Sequence, residues 1–553
     1  MQNMIQIIMS IAPEPLPQDH AALQAFAASL QLKYAALETG YAELETGMDV
    51  LRLELHHKTL HIEKLKAQLA RQRKKMFGKS SEKLAREIEQ TELMLGDLEE
   101  SMGAQRQKIE SKTRHRSAAA KEQSSEPSAQ RGLFPEHLPR ETVEHDAACI
   151  CPACGSKRLT LIGTDERGVI EYVPSHFKVI IHKRPKMGCR DCDKITQAPM
   201  PSMPIVRGIA GPALLAHVMV SRFDDHLPYY RQSEIYEREG VSLDRSMLAE
   251  WMGHMSELMA PLTEAIAAHV RAGETIHADE THLPVLEPGR GSTRKGYLWV
   301  ALRDERPWGS TAPPAAYYRY APDRTAEQAE ALLKGVQGYL HADAYSGYKD
   351  LYKIDPQTNA PRLLEVACWA HARRYIFDEH ERGPTPTTED LLTRIAELFA
   401  IEAALKGKTP DERLKARVTH AVPKLAALKT QYETALCKIS AKSEFATALR
   451  YALTRWSSFT RYTTDGRLEI SNNAVERQIK PATVGRKNWM FAGSDDGGVR
   501  AANAYTLVET AKLNGLNPET YLTHVIGRIA DHPINKIHEL LPWNLNFKIE
   551  SHG

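Results

Sequence analysis

Two pairs of cysteines in the first third of the chain restrict how that region can fold. The first pair, Cys151 and Cys154, lies in "CICPACG", and the second, Cys189 and Cys192, forms "CRDC", with 34 residues (155–188) between them. Each Cys-x-x-Cys pair can wrap two thiolates around one ion, and two pairs complete a tetrahedral zinc site. Because four thiolates leave no position open for water, the predicted zinc is structural.

The surrounding residues fit this interpretation. The intervening "GVIEYVPSHFKVIIHKRPKMG" alternates as strands do, which predicts a hairpin between two zinc knuckles. Seven cysteines is an odd number, which argues against a disulfide framework. The alternative is that these cysteines are free buried thiols. Cys149 is not needed as a ligand, because the other four cysteines complete the site. His182 is favoured as an ordinary strand residue over a zinc ligand. We expect a small zinc-ribbon-like domain over residues 145–195.

Upstream, a heptad repeat of apolar residues predicts a coiled coil. Its two series are Leu23, Leu30, Leu37, Leu44 and Leu51, and Tyr34, Tyr41, Met48, Leu55, Ile62 and Leu69. The series are offset by three residues, as the d and a positions of a leucine zipper are. The repeat favours self-association; a helix that packs on its own chain is the alternative.

A basic segment begins where the repeat ends. Between Lys64 and Arg86, nine Lys and Arg face a single acid, Glu82. Such a block suits DNA, although a solvated helix face has the same composition. The DNA contacts predicted here are Arg71, Arg73, Lys74, Lys75 and Lys79. The coiled coil and this segment span residues 21–100, and the polar residues 101–144 are predicted to be a flexible linker.

Beyond the zinc region the pattern is first helical and then mixed. Residues 196–270 have the pattern of two helices joined by a turn at Gly240. This pattern predicts either a helix-turn-helix DNA-binding unit or an ordinary helical hairpin. Residues 271–500 then show three strands, a helix, a further strand, and a last strand that leads directly into a helix. This order predicts an α/β domain with a mixed sheet. Residues 386–462 resemble a helical insertion, and residues 501–553 a C-terminal helical element.

Carboxylates mark the ends of two of these strands. In "TIHADETHLPVL", Asp279 shares a strand face with His277 and Thr281, while Glu280 points to the other face. In "GYLHADAYSGY", Asp343 ends the strand. Strand ends in α/β sheets are where ligands bind, and divalent ions prefer oxygen ligands. We expect Asp279 to face metal ions and Glu280 to be solvated or paired with a base.

A third carboxylate, Glu476, lies in "EISNNAVERQIKPATVGRKNW". The alternative is that Asn473 and Glu476 form a capping box, which only closes the helix start. Basic and aromatic residues around these carboxylates suit a phosphodiester backbone and a displaced base. The candidate DNA contacts are Arg477, Lys480, Arg486, Lys487 and Trp489, with His371, Arg373 and Arg374 in "CWAHARR". Cys368 and His341 are favoured as buried residues.

The chain resembles the transposases of the bacterial insertion sequence 66 family over about residues 21–540. The motifs that carry the resemblance are, in this order, "HADET", "HADAYSGY", "CWAHARR" and "SNNAVERQIKPATVGRKNWMFAGS". The resemblance implies a multidomain protein with a leucine zipper, a zinc domain and a ribonuclease-H-like DDE domain with a helical insertion. It also implies that Asp279, Asp343 and Glu476 are the catalytic carboxylates and hold Mg²⁺ or Mn²⁺.

The implied function is a DNA transposase that cuts element ends and joins the 3′ ends to target DNA by two-metal phosphoryl transfer. The alternatives are a DNA-binding regulator without catalysis and a nuclease that only hydrolyses. Implied partners are double-stranded DNA, a second copy in a dimer or larger oligomer, and helper proteins of the same element. No stretch approaches the roughly 18 apolar residues of a membrane span, so we expect a cytoplasmic, nucleoid-associated protein.

Overall fold

The computed structural model describes residues 34, 46–65, 134, 138–145, 150–151, 153–173, 176–206, 208–287, 292–355, 359–489 and 491–545. The chain divides into two compact units, residues 1–88 with 105–122 and residues 89–104 with 123–553. None of the helices in these ranges combines the length and hydrophobicity that a membrane span needs.

The first unit contains one described helix, α1, over residues 46–65. Its buried side chains are Met48, Ile62 and Leu65, and the exposed ones include Val50, Leu53 and Leu60. Met48 and Ile62 belong to the predicted heptad series, and Leu65 resumes the series of Leu51 fourteen residues later, after a break at Lys58. Most of the repeat and the basic contacts at residues 71–79 lie outside the described residues, so both self-association and DNA binding there stay predictions.

The second unit begins with a small sheet. Its strands are β1 (Arg140–Glu144), β2 (Leu159–Val173), β3 (His176–Cys189) and β4 (Ile195–Gln197). The predicted hairpin is confirmed, since β2 and β3 pair antiparallel. Ile170, Phe177 and Val179, near its turn, are buried in the main core, whereas Leu161 and Ile162 at the other end are exposed. One end of the hairpin is therefore anchored in the core.

Three helices follow: α2 (Pro212–Phe223), α3 (Tyr229–Arg238) and α4 (Arg245–Arg271). The two predicted helices and the turn between them are present, as α3 and α4. Gly240 in the turn has a φ of 81°, at which a residue with a side chain would be strained. Residues 245–258 of α4 include no exposed residue. A recognition helix needs an exposed face for the DNA groove, so this burial argues against that role for α4.

A mixed five-stranded sheet forms the centre of the second unit. Its strands are β5 (Thr275–Leu286), β6 (Thr293–Arg303), β7 (Ala315–Ala321), β8 (Gly338–Ala342) and β11 (Leu363–Ala367), while β9 (Ile354–Asp355) and β10 (Ala360–Pro361) pair separately. The strand order is β11-β8-β5-β6-β7, and α5 (Ala326–Leu332) connects β7 to β8. β5, β6 and β7 are antiparallel neighbours, and β8 and β11 run parallel to β5, as the predicted mixed sheet requires.

Helices α12 (Asn473–Trp489), α13 (Asp495–Leu513) and α14 (Pro518–Ile529) follow the sheet in sequence. The Thr506 hydroxyl accepts a hydrogen bond from the backbone N–H of Tyr318 at 3.0 Å, which fixes α13 against β7. α13 therefore crosses the boundary predicted at residue 500 and packs on the sheet.

The segment predicted as a helical insertion is helical and has its own core. Its helices follow α6 (Trp369–Arg382) and are α7 (Pro386–Ala404), α8 (Pro410–Ala416), α9 (Val422–Lys438), α10 (Glu444–Leu453) and α11 (Trp456–Thr460). Trp369, Tyr432 and Phe459 are buried in this core. The buried Arg417 forms two bonds with Glu402, at 2.8 and 2.6 Å, so both charges are compensated.

Candidate active site and metal centre

The four predicted zinc ligands meet at one end of the β2–β3 hairpin. The Sγ atoms of Cys151 and Cys192 are 3.4 Å apart, those of Cys154 and Cys189 are 3.7 Å apart, and all four lie within 4.8 Å of one another. A tetrahedron with Zn–S bonds of about 2.3 Å places its sulfurs about 3.8 Å apart. The cluster therefore has the size and the donors of a structural zinc site.

Two similar turns build this cluster. The N–H of Gly155 donates to the carbonyl of Cys151, and the N–H of Asp193 donates to the carbonyl of Cys189, both at 2.9 Å. Gly155 and Asp193 adopt positive φ angles of 70° and 54° to close the turns. The backbone N–H of Ala153, the largest influence, helps lower the pKa of Cys151 to about 6, which favours the thiolate that zinc binds.

Asp279 lies on β5, and Asp343 directly follows the neighbouring parallel strand β8. β5 pairs with β8 up to His277 opposite His341. Because that offset places residue 279 opposite residue 343, each Asp lies two residues beyond its histidine on the same face of the sheet. The two histidine rings are stacked, with centroids 4.1 Å apart and planes at 15°. Both are buried, as predicted for His341, which excludes direct DNA contact.

Asn472, which is fully buried, links these strands to α12. Its Oδ1 accepts from Nδ1 of His277 at 3.0 Å, and its Nδ2 donates to the carbonyl of Ala278 at 2.9 Å. Its backbone N–H donates to Sγ of Cys368 at 3.1 Å, directly after β11. The side chain thus bonds β5, and the backbone bonds the end of β11, at the point where the helix carrying Glu476 begins.

The start of α12 is not the predicted capping box. The helix begins at Asn473, and the N–H groups of Val475 and Glu476 both donate to the carbonyl of Asn472. Asn473 is therefore the first helical residue instead of the cap. The Glu476 side chain, 41% exposed, is turned toward Nδ1 of His371 at 3.7 Å.

His371 lies beside Glu476 and is half-buried, and its predicted contact with the DNA backbone stays a prediction. Cys368, His371 and Glu476 offer ligand atoms within 4.8 Å of one another. Among the described residues, the trio of Asp279, Asp343 and Glu476 is not so closely spaced.

Negative charge is concentrated around Asp279. Burial, and then the charges of Glu280, Asp343 and Glu476, raise the pKa of Asp279 to about 8, although the N–H of Glu280 bonds its Oδ1 at 2.8 Å. Burial alone favours the neutral form of a carboxyl group, and the neighbouring acids add to that effect. Divalent cations would balance these negative charges.

Glu280 faces a different environment, with its side chain 1% exposed. Arg324 pairs with it, with Nε 2.5 Å from Oε1, and the hydroxyl of Tyr348 donates to Oε2 at 2.9 Å. The prediction that Glu280 pairs with a base is confirmed. Arg324 also lies 4.0 Å from Asp343. Sequence reasoning missed Arg324, Tyr348 and Asn472; Arg324 stands in a loop without any motif.

Most of the candidate DNA-binding residues near the carboxylates are accessible. The exposed ones are Arg373, Arg374, Arg477, Lys480 and Lys487, and Arg486 is half-buried. Trp489 is only 4% exposed and belongs to the main core, so it is wrong as a platform for a displaced base. Its spacing from Val475, Ile479 and Ala482, all buried on the same helix, is the signal that identifies it as core.

Known families match this chain in consecutive segments. The family model described as "Transposase IS66 family" matches residues 207–500. Further matches are "Transposase C of IS166 homeodomain" over residues 64–143, "zinc-finger binding domain of transposase IS66" over 148–193 and "IS66 C-terminal element" over 506–543.

Similar curated proteins come from Sinorhizobium fredii. The protein named "Uncharacterized protein y4qI" is 40% identical over 425 residues, which cover 76% of this chain and 78% of that protein. "Uncharacterized protein y4hP" is 35% identical over 501 residues, which cover 88% of each chain.

Proposed function

Because this chain belongs to the IS66 transposase family, we propose that it cuts the ends of its insertion element and joins the 3′ ends to target DNA by phosphoryl transfer. We further propose that Asp279, Asp343 and Glu476 are its catalytic carboxylates, in a ribonuclease-H-like domain. The observation that supports this proposal is the parallel pairing of β5 with β8 up to His277 and His341, two residues before Asp279 and Asp343.

The donor set fits Mg²⁺ or Mn²⁺, since carboxylate oxygens are the ligands these ions prefer. Two such ions, when bound, would stabilise the attacking and leaving oxygens of an in-line displacement. Asp279, Asp343 and Glu476 would hold them. Asp343 and Glu476 are among the charges that act on Asp279, which supports the grouping of these three carboxylates.

The chain's own residues would position the DNA. Arg373, Arg374, Arg477 and Lys480 are exposed on α6 and α12, the two helices joined by the contact between His371 and Glu476. Cations at this position would bind phosphate oxygens on both sides of the reacting group and keep the strand in line. Zinc at the four cysteines would hold the knuckles rigid. We also propose a dimer or larger assembly, since two element ends must meet; helper proteins of the element are further proposed partners.

The experiment uses the purified chain, a labelled duplex carrying the terminal sequence of its own element, target DNA and Mg²⁺. Joined products are expected. Cut products without joining would favour a nuclease, and binding alone would favour a regulator. Asp343→Asn, which keeps the shape of the side chain and removes its charge, should abolish joined products while the duplex still binds. Joining by Asp343→Asn at the wild-type rate would contradict the assignment.

A further inference from the structure

Beside the carboxylates lies an open depression of about 340 Å³. The residues that line it are Glu280, Thr281, His282, Lys295, Tyr297 and Arg324. On the paired strands β5 and β6, His282 stands opposite Tyr297, and Pro284 opposite Lys295. His282 and Lys295 are exposed, and the ring of Tyr297 is half-buried. The floor is thus an aromatic ring with basic groups around it.

The depression and the carboxylates meet at an open edge of the sheet. β5 continues to Leu286, whereas β8, its neighbour, ends at Ala342. The next backbone pairing along that edge is the bridge between Val285 and Ala492. Arg324 connects the two places, because its guanidinium pairs with Glu280 in the depression and lies 4.0 Å from Asp343.

The basic groups exceed the acids that could neutralise them. Glu280 is already bonded by Arg324 and Tyr348. Within the described ranges, Lys295 forms no ion pair, and Arg486 donates to the carbonyl oxygen of His282. Burial, and then the positive charges of Arg486 and Lys295, lower the pKa of His282, so these groups lie close to one another. Like charges gathered without a partner acid favour an anionic ligand.

We propose that this depression binds a nucleotide of the DNA strand beside the carboxylates, with its phosphodiester group at Lys295 and its base on the ring of Tyr297. This inference rests on the proposed transposase function and adds a strand-binding subsite to it. Glu280 and His282 share the face of β5 opposite to that of Asp279. Arg324, which pairs with Glu280 and lies 4.0 Å from Asp343, connects the depression to the carboxylates.

The first test measures how the affinity for a 20-base-pair duplex falls with salt, without any divalent ion, so that no reaction is needed. Lys295→Gln should lower the slope of log K against log[salt] by about 1, because one phosphate contact is lost. The control is Lys334→Gln, at an exposed lysine before β8, at the opposite end of that strand from Asp343. Equal slopes for the two variants would overturn the inference.

The second test locates the contact. Single neutral methylphosphonates are placed at successive positions along the element end, and binding is measured for the wild type and Lys295→Gln. At one position along the element end, the methylphosphonate should cost the wild type as much affinity as Lys295→Gln does, and it should cost the variant nothing more. Additive losses at every position would overturn the inference.

The third test concerns the base. Tyr297→Ala should weaken binding about tenfold, and Tyr297→Phe should bind like the wild type, because a ring is enough for stacking. Equal losses for both variants would remove the stacking part of the proposal. If the salt slopes and Tyr297 variants behave as expected but the wild-type protein joins no DNA, then the transposase function fails while the nucleotide site stands.

Discussion

The cysteine cluster and the carboxylate site differ in how the chain holds them together. The four cysteines come from two short turns at the end of one hairpin, where Leu161 and Ile162 are exposed. The carboxylates come from β5, from the residue after β8 and from α12, and the buried amide of Asn472 joins β5 to the start of α12. Among the described residues, no separate apolar core surrounds the first site, whereas the second lies on the main core of the second unit.

This difference predicts what each site needs from its metal. Small zinc modules fold with their ion, because four unpaired thiolates repel one another and little apolar surface is buried. At the carboxylate site the hydrogen bonds of Asn472 and the stacked rings of His277 and His341 fix the strands and helix. We therefore expect the carboxylate site to be preorganised without metal and the cysteine site to depend on it.

Removal of zinc should have the largest effect, since structural zinc contributes about 10–16 kcal/mol in small modules. Elemental analysis should find about one zinc per chain. After chelation, hydrogen exchange should accelerate at residues 150–163 and 186–197. Ile170 and Phe177, which are buried in the main core, and the strands β5 and β8 should keep their protection. Loss of protection throughout the sheet would show that the two sites are not independent.

The charge of Asp279 should matter next. Asp279→Asn keeps the shape and removes charge that would balance metal ions, so joined products should fall by several orders of magnitude while DNA binding is kept. The matched control is Glu280→Gln, next to it in the strand but bonded to Arg324. Glu280→Gln should reduce the amount of joined products far less than Asp279→Asn does. If the two losses are reversed, our assignment of the strand face toward the metals is wrong.

Asn472 tests the preorganisation directly. Asn472→Ala leaves Nδ1 of His277 and the carbonyl of Ala278 buried without partners, so the free energy of unfolding should fall by about 3 kcal/mol. Asn473→Ala, at the adjacent half-buried first residue of α12, should change it by less than about 0.5 kcal/mol. Chemical denaturation measures both. Equal effects would mean that the amide contributes little to holding the helix on β5.

The smallest expected effect lies where the hairpin joins the helices. Glu171 on β2 accepts from the N–H of Leu214 at 2.7 Å, and burial raises the pKa of Glu171 to about 7. The folded state therefore holds this proton more tightly than the unfolded state, so its stabilisation is complete below about pH 4.5 and is lost as the pH rises to 7. Between pH 5 and 7 this loss should be about 2 kcal/mol.

Glu171→Gln isolates that contribution, because the amide keeps an oxygen for Leu214 but does not titrate. The difference in unfolding free energy between wild type and variant should change with pH over this range. A constant difference would mean that the carboxyl group has the same pKa in both states.

The two regions also differ in how well sequence predicts them. Spacing alone identified all four cysteines, because both turns are local. Strand alternation predicted the separate environments of Asp279 and Glu280 for the same reason. The roles of Asn472 and Arg324 could not be predicted, since Asn472 bonds residues 194 and 195 positions away and Arg324 bonds one 44 positions away. Trp489 was misassigned because basic neighbours outweighed its place in the buried stripe of α12.

The bond between the N–H of Asn472 and Sγ of Cys368 has a consequence for how the helical segment can change in length. The chain leaves the sheet after Cys368 and returns at Asn472, so residues 369–471 start and finish at one point. A segment whose ends already meet can grow or shrink at little cost in loop entropy, about 0.6 kcal/mol for each doubling of length. We therefore expect changes of length within residues 369–471 of this chain to leave the bond between Asn472 and Cys368 in place.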